Sequence, residues 1–469
     1  MLTLRNYQQD AVEKIRGSYR DGKKAPLLVL PTGGGKTIVF SYIAANAAAR
    51  GKRVLILVHR IELMRQTSEK LHMAGVDHGL INPLFTPNYR KQVQVASVQT
   101  LVRRLHKMPT PDLIIIDEAH HATAGTWRKI IEAYPTALVL GVTATPCRGD
   151  GTGLGLEAGG IFDDLVLGPQ VPFLIENGFL VAPKVYAPKE RLDLTGVRTK
   201  MGDYVTAEIE QVVDKPRITG DAVNHYRKLC DGAPAVAFCV SIAHAEHVAQ
   251  EFRAAGYKAY ALDGKMDDDT RKRIINGLAN GSVQVVASCD LISEGTDIPA
   301  IGCAIMLRPT QSTGLYIQQV GRALRPSAGK SHAVILDHVG NVITHGMPDE
   351  LRDWSLDGEA KRGKKKAEQA VKTEQCERCF AIYKPAPACP ECGHVKFIEA
   401  RQPEQVDGEL SEITPMQAAM LRRQRSVEVA KATTREQLED IAKQRGYKAG
   451  WVNHILRSRE AKDINKKIA

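Results

Sequence analysis

The segment that most constrains the fold is a short apolar run that ends in a glycine-rich loop. The run covers residues 27–30, and the loop 33–35, Gly-Gly-Gly, is followed by Lys36 and Thr37. Residues 38–50 are compatible with a helix, so the segment predicts a strand, a loop and a helix in that order. Such a loop turns backbone N–H groups toward a phosphate chain, and the helix presents its positive end. Lys36 can then reach the β and γ phosphates, and the Thr37 hydroxyl suits Mg²⁺.

The general phosphate-loop pattern has one more glycine, at the position that Leu30 occupies. The loop alone is therefore also compatible with an ordinary glycine turn between a strand and a helix. Further apolar runs that end in polar clusters bear on this choice: 53–58 before His59-Arg60, 94–100 with Gln99-Thr100 at its end, 113–116 before Asp117-Glu118-Ala119-His120, and 138–142 before Thr143-Ala144-Thr145. Strands that alternate with helices predict a doubly wound α/β domain, whose ligand lies at the carboxyl ends of the strands.

The pair Asp117-Glu118 has a chemical role at such a strand end. An aspartate at the tip of a buried strand can hold the hydration shell of Mg²⁺. The carboxylate next to it can orient and deprotonate an attacking water. Together with the upstream loop, the pair predicts a site for nucleotide hydrolysis.

A second alternating series follows from residue 216, without a second phosphate loop. It contains the segment 318–325, Gln-Gln-Val-Gly-Arg-Ala-Leu-Arg, which we predict to lie on a helix. Arg322 and Arg325 are three residues apart and would share a face of that helix. Two guanidinium groups on one face can stabilise the charge of a γ-phosphate during transfer, although a solvated basic helix has the same pattern.

These motifs together resemble the motor domains of superfamily 2 helicases. The resemblance rests on Gly-Gly-Gly-Lys-Thr, Asp-Glu-Ala-His, Thr-Ala-Thr-Pro and Gln-x-x-Gly-Arg-x-x-Arg. That family uses a Pro-Thr-Gly-x-Gly-Lys-Thr loop, which accounts for Leu30. Within it the chain is most similar to DEAH-box helicases of the RadD type from bacteria and phages, well over residues 3–345 and poorly over the final helices. The fold that this implies is two RecA-like parallel-sheet domains in tandem.

The resemblance also implies roles for individual residues. Catalysis would involve Lys36, Asp117, Glu118, Gln318, Arg322 and Arg325, with Mg²⁺ held by Thr37 and Asp117. ATP would be bound by Arg5, Tyr7, Gln8, Thr32, Gly33, Gly34, Gly35, Lys36, Thr37, Gly295 and Asp297. Coupling of hydrolysis to domain movement would use His120, Thr143 and Thr145, and nucleic acid would contact His59, Arg60, Gln99, Thr100 and Ser293.

The C-terminal third adds a possible metal site and a basic module. Cys376 and Cys379 form one Cys-x-x-Cys pair, and Cys389 and Cys392 form another. Two such pairs can hold one Zn²⁺ with four thiolates, and a disulfide is unfavourable in a cytosolic chain. Residues 411–469 carry 13 Lys and Arg against 7 Asp and Glu and have helix-start signals at Thr414 and Thr434. We therefore predict an ATP-binding domain (1–168), a connection (169–215), a second helicase domain (216–350), a basic linker (351–372), a zinc ribbon (373–400) and a basic helical module (411–469).

The net charge of +11 is concentrated in this tail and favours an anionic partner such as nucleic acid. No apolar run approaches the length that spans a bilayer, so we expect a cytoplasmic monomer without a membrane partner, in a bacterial nucleoid or a phage-infected cell. The resulting hypothesis is an ATP-dependent DNA helicase or translocase that uses ATP, Mg²⁺ and Zn²⁺. It would act in repair, recombination or replication on single-stranded or forked DNA, together with a protein of those processes. The alternatives are an RNA helicase and a zinc-dependent nucleic-acid-binding scaffold with a vestigial motor.

Overall fold

The computed structural model describes most of the chain up to residue 357 and shorter pieces beyond it. The described residues are 3–122, 125–148, 152–188, 194, 196–200, 203–214, 216–264, 266–289, 301–357, 374–375, 382–383, 411–412, 414, 416–417, 420, 427–429, 431–432, 434–444, 451–453 and 455–456. Two parallel-sheet α/β domains dominate this part of the chain, which confirms the predicted architecture of the motor.

The described residues of the first domain form seven strands and six α-helices. The strands are β1 (Pro26–Val29), β2 (Val54–Val58), β3 (His78–Ile81), β4 (Val93–Ser97), β5 (Leu113–Asp117), β6 (Leu138–Thr143) and β7 (Asp164–Leu167). The helices are α1 (Asn6–Arg20), α2 (Lys36–Ala49), α3 (Ile61–Met73), α4 (Val98–Leu101), α5 (Gly125–Glu132) and α6 (Val171–Glu176), with 3₁₀ turns at Leu105–Lys107, Ala119–His121 and Leu156–Ala158. The sheet has the order β3-β4-β2-β5-β6-β1-β7, and all its strands are parallel. Strands β1, β2, β4 and β5 are buried along their whole length, as expected for strands covered by helices on both faces.

The second domain repeats this design with a sheet of its own. Its elements are β8 (Ala182–Ala187), a hairpin of β9 (Thr199–Lys200) and β10 (Asp203–Tyr204), α7 (Thr206–Val213), α8 (Pro216–Cys230), β11 (Ala235–Phe238), α9 (Ile242–Ala254), β12 (Ala259–Leu262), α10 (Asp268–Asn280), β13 (Val285–Ser288), β14 (Cys303–Met306), α11 (Thr313–Ala323), β15 (His332–Asp337) and α12 (Asn341–His345). The described C-terminal pieces are β16 (Glu374–Gln375), β17 (Ile382–Tyr383), β18 (Ser411–Glu412) and α13 (Arg435–Gln444). The sheet order is β12-β13-β11-β14-β15-β8-β18, in which only β18 is antiparallel.

Several predicted elements differ from the observed ones. The run predicted as a strand over 94–100 ends at Ser97, and Val98–Leu101 is helical. The alternation of apolar and polar residues continues across this boundary, so periodicity alone did not mark it. Strands β3 and β7 were not predicted, because each has only four residues and lies at an edge of the sheet. Strand β8 lies inside the segment predicted as a connection, yet it pairs with β15 and extends the second sheet.

The glycine-rich segment after β6 is also more ordered than its composition indicates. The many glycines of residues 148–160 predict a loop without regular structure, but Leu156–Ala158 forms a 3₁₀ turn and Gly155 bridges Phe162. The Gly155 N–H donates to the carbonyl of Leu356 at 2.9 Å, and Leu356 packs against the core of the first domain. Residues 351–357 therefore return from the second domain to the first.

Two described C-terminal features bear on the predicted tail. Strands β16 and β17 pair antiparallel on either side of the Cys376–Cys379 pair. At Thr434, the hydroxyl accepts from Gln437 N–H at 3.3 Å and the Gln437 side chain accepts from Thr434 N–H at 3.2 Å, which is the predicted start of α13. In the part of the chain that the structure describes, no helix has the length and apolarity needed to cross a bilayer.

Candidate nucleotide site

The glycine loop has the backbone geometry of a phosphate cradle. Gly33 and Gly35 have φ angles of 86° and 82°, a left-handed conformation that glycine adopts without a steric penalty. Gly34 N–H donates to Pro31 O at 2.9 Å, and α2 begins directly after the loop, at Lys36. The loop thus places Lys36 and Thr37 in the first turn of a helix, where free backbone N–H groups favour an anion.

The N-terminal segment packs onto this loop. The hydroxyl of Tyr7 donates to Gly34 O at 3.0 Å, and the Gln8 amide donates to the same oxygen at 3.3 Å. The Gln8 side-chain oxygen, Oε1, accepts from Arg5 N–H at 3.0 Å. The structure therefore brings Arg5, Tyr7 and Gln8, which are predicted to bind ATP, to the edge of the phosphate loop.

Phe179 lies beside Arg5 and Tyr7 and was not among the predicted site residues. The Arg5 guanidinium lies 4.4 Å from the centre of the Phe179 ring, and the Tyr7 ring centre lies 5.1 Å from it. Phe179 belongs to the segment that the sequence analysis assigned to the connection, where no motif marks it. Clustered aromatic and cationic groups at this position offer a surface of the kind that a base can contact.

The two acidic residues lie at the end of β5, as predicted. Asp117 is only 3% exposed, and burial, followed by the neighbouring Glu118 charge, raises its pKa, whereas Lys36 and His59 lower it. Glu118 N–H donates to Asp117 Oδ1 at 3.0 Å. A desolvated carboxylate beside a second carboxylate is stabilised by a cation, so Asp117 and the Thr37 hydroxyl are a donor set that fits Mg²⁺.

Glu118 has a strained backbone. Its φ of 49° makes it the one non-glycine residue with a positive φ among the residues that the structure describes. The residue is 8% exposed, and its Oε2 lies 3.4 Å from His120 Nδ1. Left-handed backbone at a bulky residue costs free energy and is concentrated at functional sites. The conformation turns Glu118 away from the strand direction at the point where a catalytic base is expected.

His120, Thr143 and Thr145 form one hydrogen-bonded group. The Thr143 hydroxyl donates to Thr145 O at 2.9 Å and accepts from Thr145 N–H at 3.2 Å. Because that donation uses the only hydroxyl proton, the 3.1 Å bond between His120 Nδ1 and Thr143 Oγ1 has the histidine as donor. Thr145 faces the second domain, since a Cβ on Gly314 would lie 3.0 Å from its Oγ1. The three residues predicted to couple the domains are thus in mutual contact at the domain boundary.

Of the residues predicted to contact nucleic acid, His59 lies near the acidic pair, since it helps to lower the pKa of Asp117. The Gln99 amide donates to His59 O at 3.3 Å, and Gln99 is exposed, but Thr100 is buried in α4 and is a poor candidate for a surface contact. His121, which no motif marked, lies between His59 and His120, with tilted rings and ring-centre distances of 4.6 and 4.1 Å. Its position directly after Asp-Glu-Ala-His was the only available signal. Ser293, Gly295 and Asp297 lie outside the described residues.

The second domain contributes its arginines from α11 and from the turn that follows it. A Cβ on Gly321 would lie 2.7 Å from Thr32 Cβ, so the helix contacts the phosphate loop directly. Gln318 and Arg322 are 4% and 8% exposed at this contact. Arg325 Cγ lies 3.7 Å from the position of a Cβ on Gly33. The structure thus brings both predicted arginines to a loop nearly three hundred residues earlier in the chain.

One part of the arginine prediction was wrong. Helix α11 ends at Ala323, so Arg325 lies beyond it and does not share a helical face with Arg322. Pro326 follows Arg325, and the residue before a proline is disfavoured in helical conformation. The two side chains therefore approach the loop from different backbone conformations.

The predicted zinc ligands cannot be placed in the same way. Cys376, Cys379, Cys389 and Cys392 lie outside the described residues. Among the side chains that are described, no group of three or more His, Cys, Asp or Glu residues is arranged to hold a metal ion. The zinc ribbon remains a prediction from spacing.

Comparison with known proteins supports a helicase-type motor. Residues 1–148 match the family described as type III restriction enzyme, res subunit, and residues 221–327 match the helicase conserved C-terminal domain. A 51.5 kDa protein of a Lactococcus phage is 36% identical over 79% of this chain and 78% of its own length. A Saccharomyces cerevisiae protein provisionally named ATP-dependent helicase IRC3 is 32% identical over 72% of this chain and 51% of its own length. In the solved structure of the ATP-dependent type ISP restriction-modification enzyme LlaBIII bound to DNA, the fold matches with a TM-score of 0.54, at 21% identity, over 71% of this chain and 27% of that one.

Proposed function

Because this chain belongs to the superfamily 2 helicases, we propose that it is a motor that uses ATP hydrolysis to move along or unwind DNA. That it is a nucleic-acid-dependent ATPase follows from its two helicase domains and its helicase relatives. The observation that carries the proposal is the contact between Gly321 of α11 and Thr32 of the phosphate loop. The charged groups of this site are divided between the two domains. The site is therefore assembled only when the domains meet, which links nucleotide binding to domain movement.

In the proposed mechanism, the loop and α2 hold the phosphates while Tyr7, Gln8 and Phe179 surround the base. Lys36 neutralises the β and γ phosphates. Thr37 and Asp117 would hold Mg²⁺, which would supply positive charge to the phosphate oxygens. This assignment of residues is supported by their convergence on one loop.

Glu118 orients the attacking water and accepts its proton. Arg322 and Arg325 stabilise the charge on the transferred γ-phosphate from the second domain. His120, Thr143 and Thr145 transmit the state of the nucleotide to the domain boundary, since Thr145 faces Gly314. After hydrolysis the arginines lose their partner, and the cleft opens.

DNA is the proposed polymer. The relative LlaBIII, whose fold this chain shares, was solved bound to DNA, and the tail of this chain is basic. RNA is the alternative polymer. The scaffold alternative is opposed by the retained set of Lys36, Glu118 and Arg322, which a silent motor does not need. A location in the cytoplasm of a bacterial or phage-infected cell is part of the proposal, and the likeness to a phage relative supports the phage-infected cell.

Finer parts of the proposal rest on the sequence. A RadD-type role in DNA repair, recombination or replication, with a protein partner from those processes, is supported by the motif resemblance. Zinc binding by the four clustered cysteines is supported by their spacing and by the pairing of β16 with β17 around the first pair. The predicted basic module at 411–469 would add affinity for the phosphate backbone.

The test is ATP turnover by the full chain with single-stranded, duplex and forked DNA and with RNA. We expect DNA, and forked DNA most, to stimulate turnover, and Lys36→Ala and Glu118→Gln to lower it by at least roughly a hundredfold. Glu118→Gln is isosteric, so it should retain ATP binding. Exposed Lys228→Met is the control and should hydrolyse ATP normally. Stimulation by RNA alone would replace DNA as the polymer, and unchanged turnover in either variant would reject the assigned site.

A further inference from the structure

Lys330 makes an unusual set of contacts just beyond α11. Its ammonium donates to the carbonyl oxygens of Ile301 at 2.6 Å, Arg325 at 2.7 Å and Ala323. The side chain is partly buried, and burial lowers its pKa to about 8. Three backbone carbonyls that converge on one ammonium satisfy all three of its protons.

These contacts replace a backbone cap that the sequence does not allow. A helix leaves its last carbonyls unpaired, and the usual closing motif uses the N–H of the second residue beyond the C-cap. After the C-cap residue Leu324, that position is Pro326, which has no N–H. The negative end of α11 is therefore closed by the Lys330 side chain, whose charge also complements the helix dipole.

The position of the capped carbonyls matters for the nucleotide site. Ala323 follows Arg322 directly, and the second carbonyl is that of Arg325 itself. Lys330 thus holds the backbone from which both guanidinium groups extend, including that of Arg325, whose side chain contacts Gly33. The third carbonyl, of the fully buried Ile301, ties this turn to the chain that enters β14.

We propose that Lys330 is a positioning residue for ATP hydrolysis, which holds the chain at Arg322 and Arg325 so that both arginines meet the γ-phosphate. The inference rests on the proposed role of these two arginines. Lys330 itself touches neither the phosphate loop nor the acidic pair in the contacts described here, so it acts through the arginine backbone. A positioning defect raises the barrier to hydrolysis and leaves ATP binding by the first domain largely intact.

The experiment is a double-mutant cycle of Lys330→Met and Arg325→Ala in the full chain, with ATP turnover measured with and without single-stranded DNA. We expect Lys330→Met to lower kcat by roughly tenfold while KM for ATP changes by less than about twofold. In the Arg325→Ala background, the same substitution should lower kcat by clearly less than in the wild type, because one of the two positioned arginines is gone. Lys228→Met, on the exposed face of α8, is the matched control and should leave both parameters unchanged.

The outcomes separate the two levels of the proposal. An equal loss of kcat from Lys330→Met in both backgrounds, or a loss confined to KM, would overturn the positioning role. Unchanged kcat in Arg325→Ala would overturn the arginine assignment and this inference with it, whereas inactive Lys36→Ala would still support the site in the first domain. If Lys330→Met fails to fold, Lys330→Gln, which keeps two N–H donors, replaces it in the same cycle.

Discussion

At the scale of single residues, the site concentrates features that cost stability. Asp117 is a buried carboxylate next to a second carboxylate, and Glu118 has a left-handed backbone. Neither feature strengthens the fold, since desolvation of charge and backbone strain both oppose it. Both are explained by a site that is completed by a cation and a nucleotide. The sequence predicted the identity of these residues, because Asp-Glu after a buried strand is a local signal, but the strain at Glu118 was visible only in three dimensions.

His338 is a second buried ionisable residue and makes stability depend on pH. It follows β15, and its ring centre lies 5.3 Å from that of His225. Burial, with a smaller contribution from His225, lowers its pKa from 6.5 to about 3. The unfolded chain therefore takes up a proton below pH 6.5 that the folded chain does not, so stability is lost as the pH falls from 6.5 toward 3.

Replacement of His338 should weaken this acid sensitivity. Between pH 7 and pH 5, we expect the unfolding free energy of the wild type to fall by about 2 kcal/mol more than that of His338→Leu. Urea unfolding at both pH values measures the difference. His106→Leu, at an exposed position, is the control and should match the wild type. Equal acid sensitivity in His338→Leu and the wild type would show that another group is responsible.

At the scale of secondary-structure elements, the close approach of α11 to the phosphate loop depends on a glycine. Gly321 lies inside α11, where glycine is normally unfavourable by about 1 kcal/mol relative to alanine. The short distance between α11 and the loop explains why a glycine occurs here, because a Cβ on Gly321 would lie 2.7 Å from Thr32 Cβ. An alanine at this position would push the helix, and Arg322 with it, away from the loop.

Gly321→Ala is therefore expected to impair hydrolysis without unfolding the second domain. We expect turnover to fall by roughly tenfold or more, because the arginines retreat from the γ-phosphate. Gly17→Ala is the matched control, since Gly17 also lies in a helix but has open space around its Cβ position. The control should retain turnover and gain slightly in stability. Wild-type turnover in Gly321→Ala would mean that α11 does not approach the loop this closely during catalysis.

At the scale of the whole molecule, the chain crosses between the domains more than once. After α12, the chain returns to the first domain, where the Gln170 amide donates to Arg352 O at 3.0 Å and accepts from Arg352 N–H at 2.7 Å. Leu356 then meets the glycine segment 153–155. Helix α3 of the first domain also pairs with α10 of the second. Arg65 pairs with Asp268 at 2.8 Å, and Glu62 pairs with Arg271 at 3.3 Å. These contacts restrain the relative position of the two domains.

A substitution at Gly153 should detach residues 351–357 from the first domain. Its Cβ position overlaps the carbonyl oxygen of Leu356 and lies 2.5 Å from Asp357 C. We expect Gly153→Ala to expose residues 351–357 and to increase the rate of limited proteolysis there by roughly tenfold, because loss of the docking contacts raises the population of the open segment. Gly125→Ala, which meets open space in the same domain, should keep the wild-type cleavage rate. A wild-type cleavage pattern in Gly153→Ala would show that the segment stays docked.

The sequence by itself determined the parts whose physics is local. The phosphate loop, the acidic pair and the buried parallel strands are each specified by consecutive residues, through glycine geometry, metal-ligand chemistry and apolar runs. What only the tertiary structure decided depends on residues far apart in the chain. Packing between elements brings α11 to the loop and places His121 between two histidines. It also brings Phe179 to Arg5 and Tyr7 and docks Leu356 on the glycine segment. Packing follows from the complementary shapes of whole surfaces, which no short stretch of sequence contains.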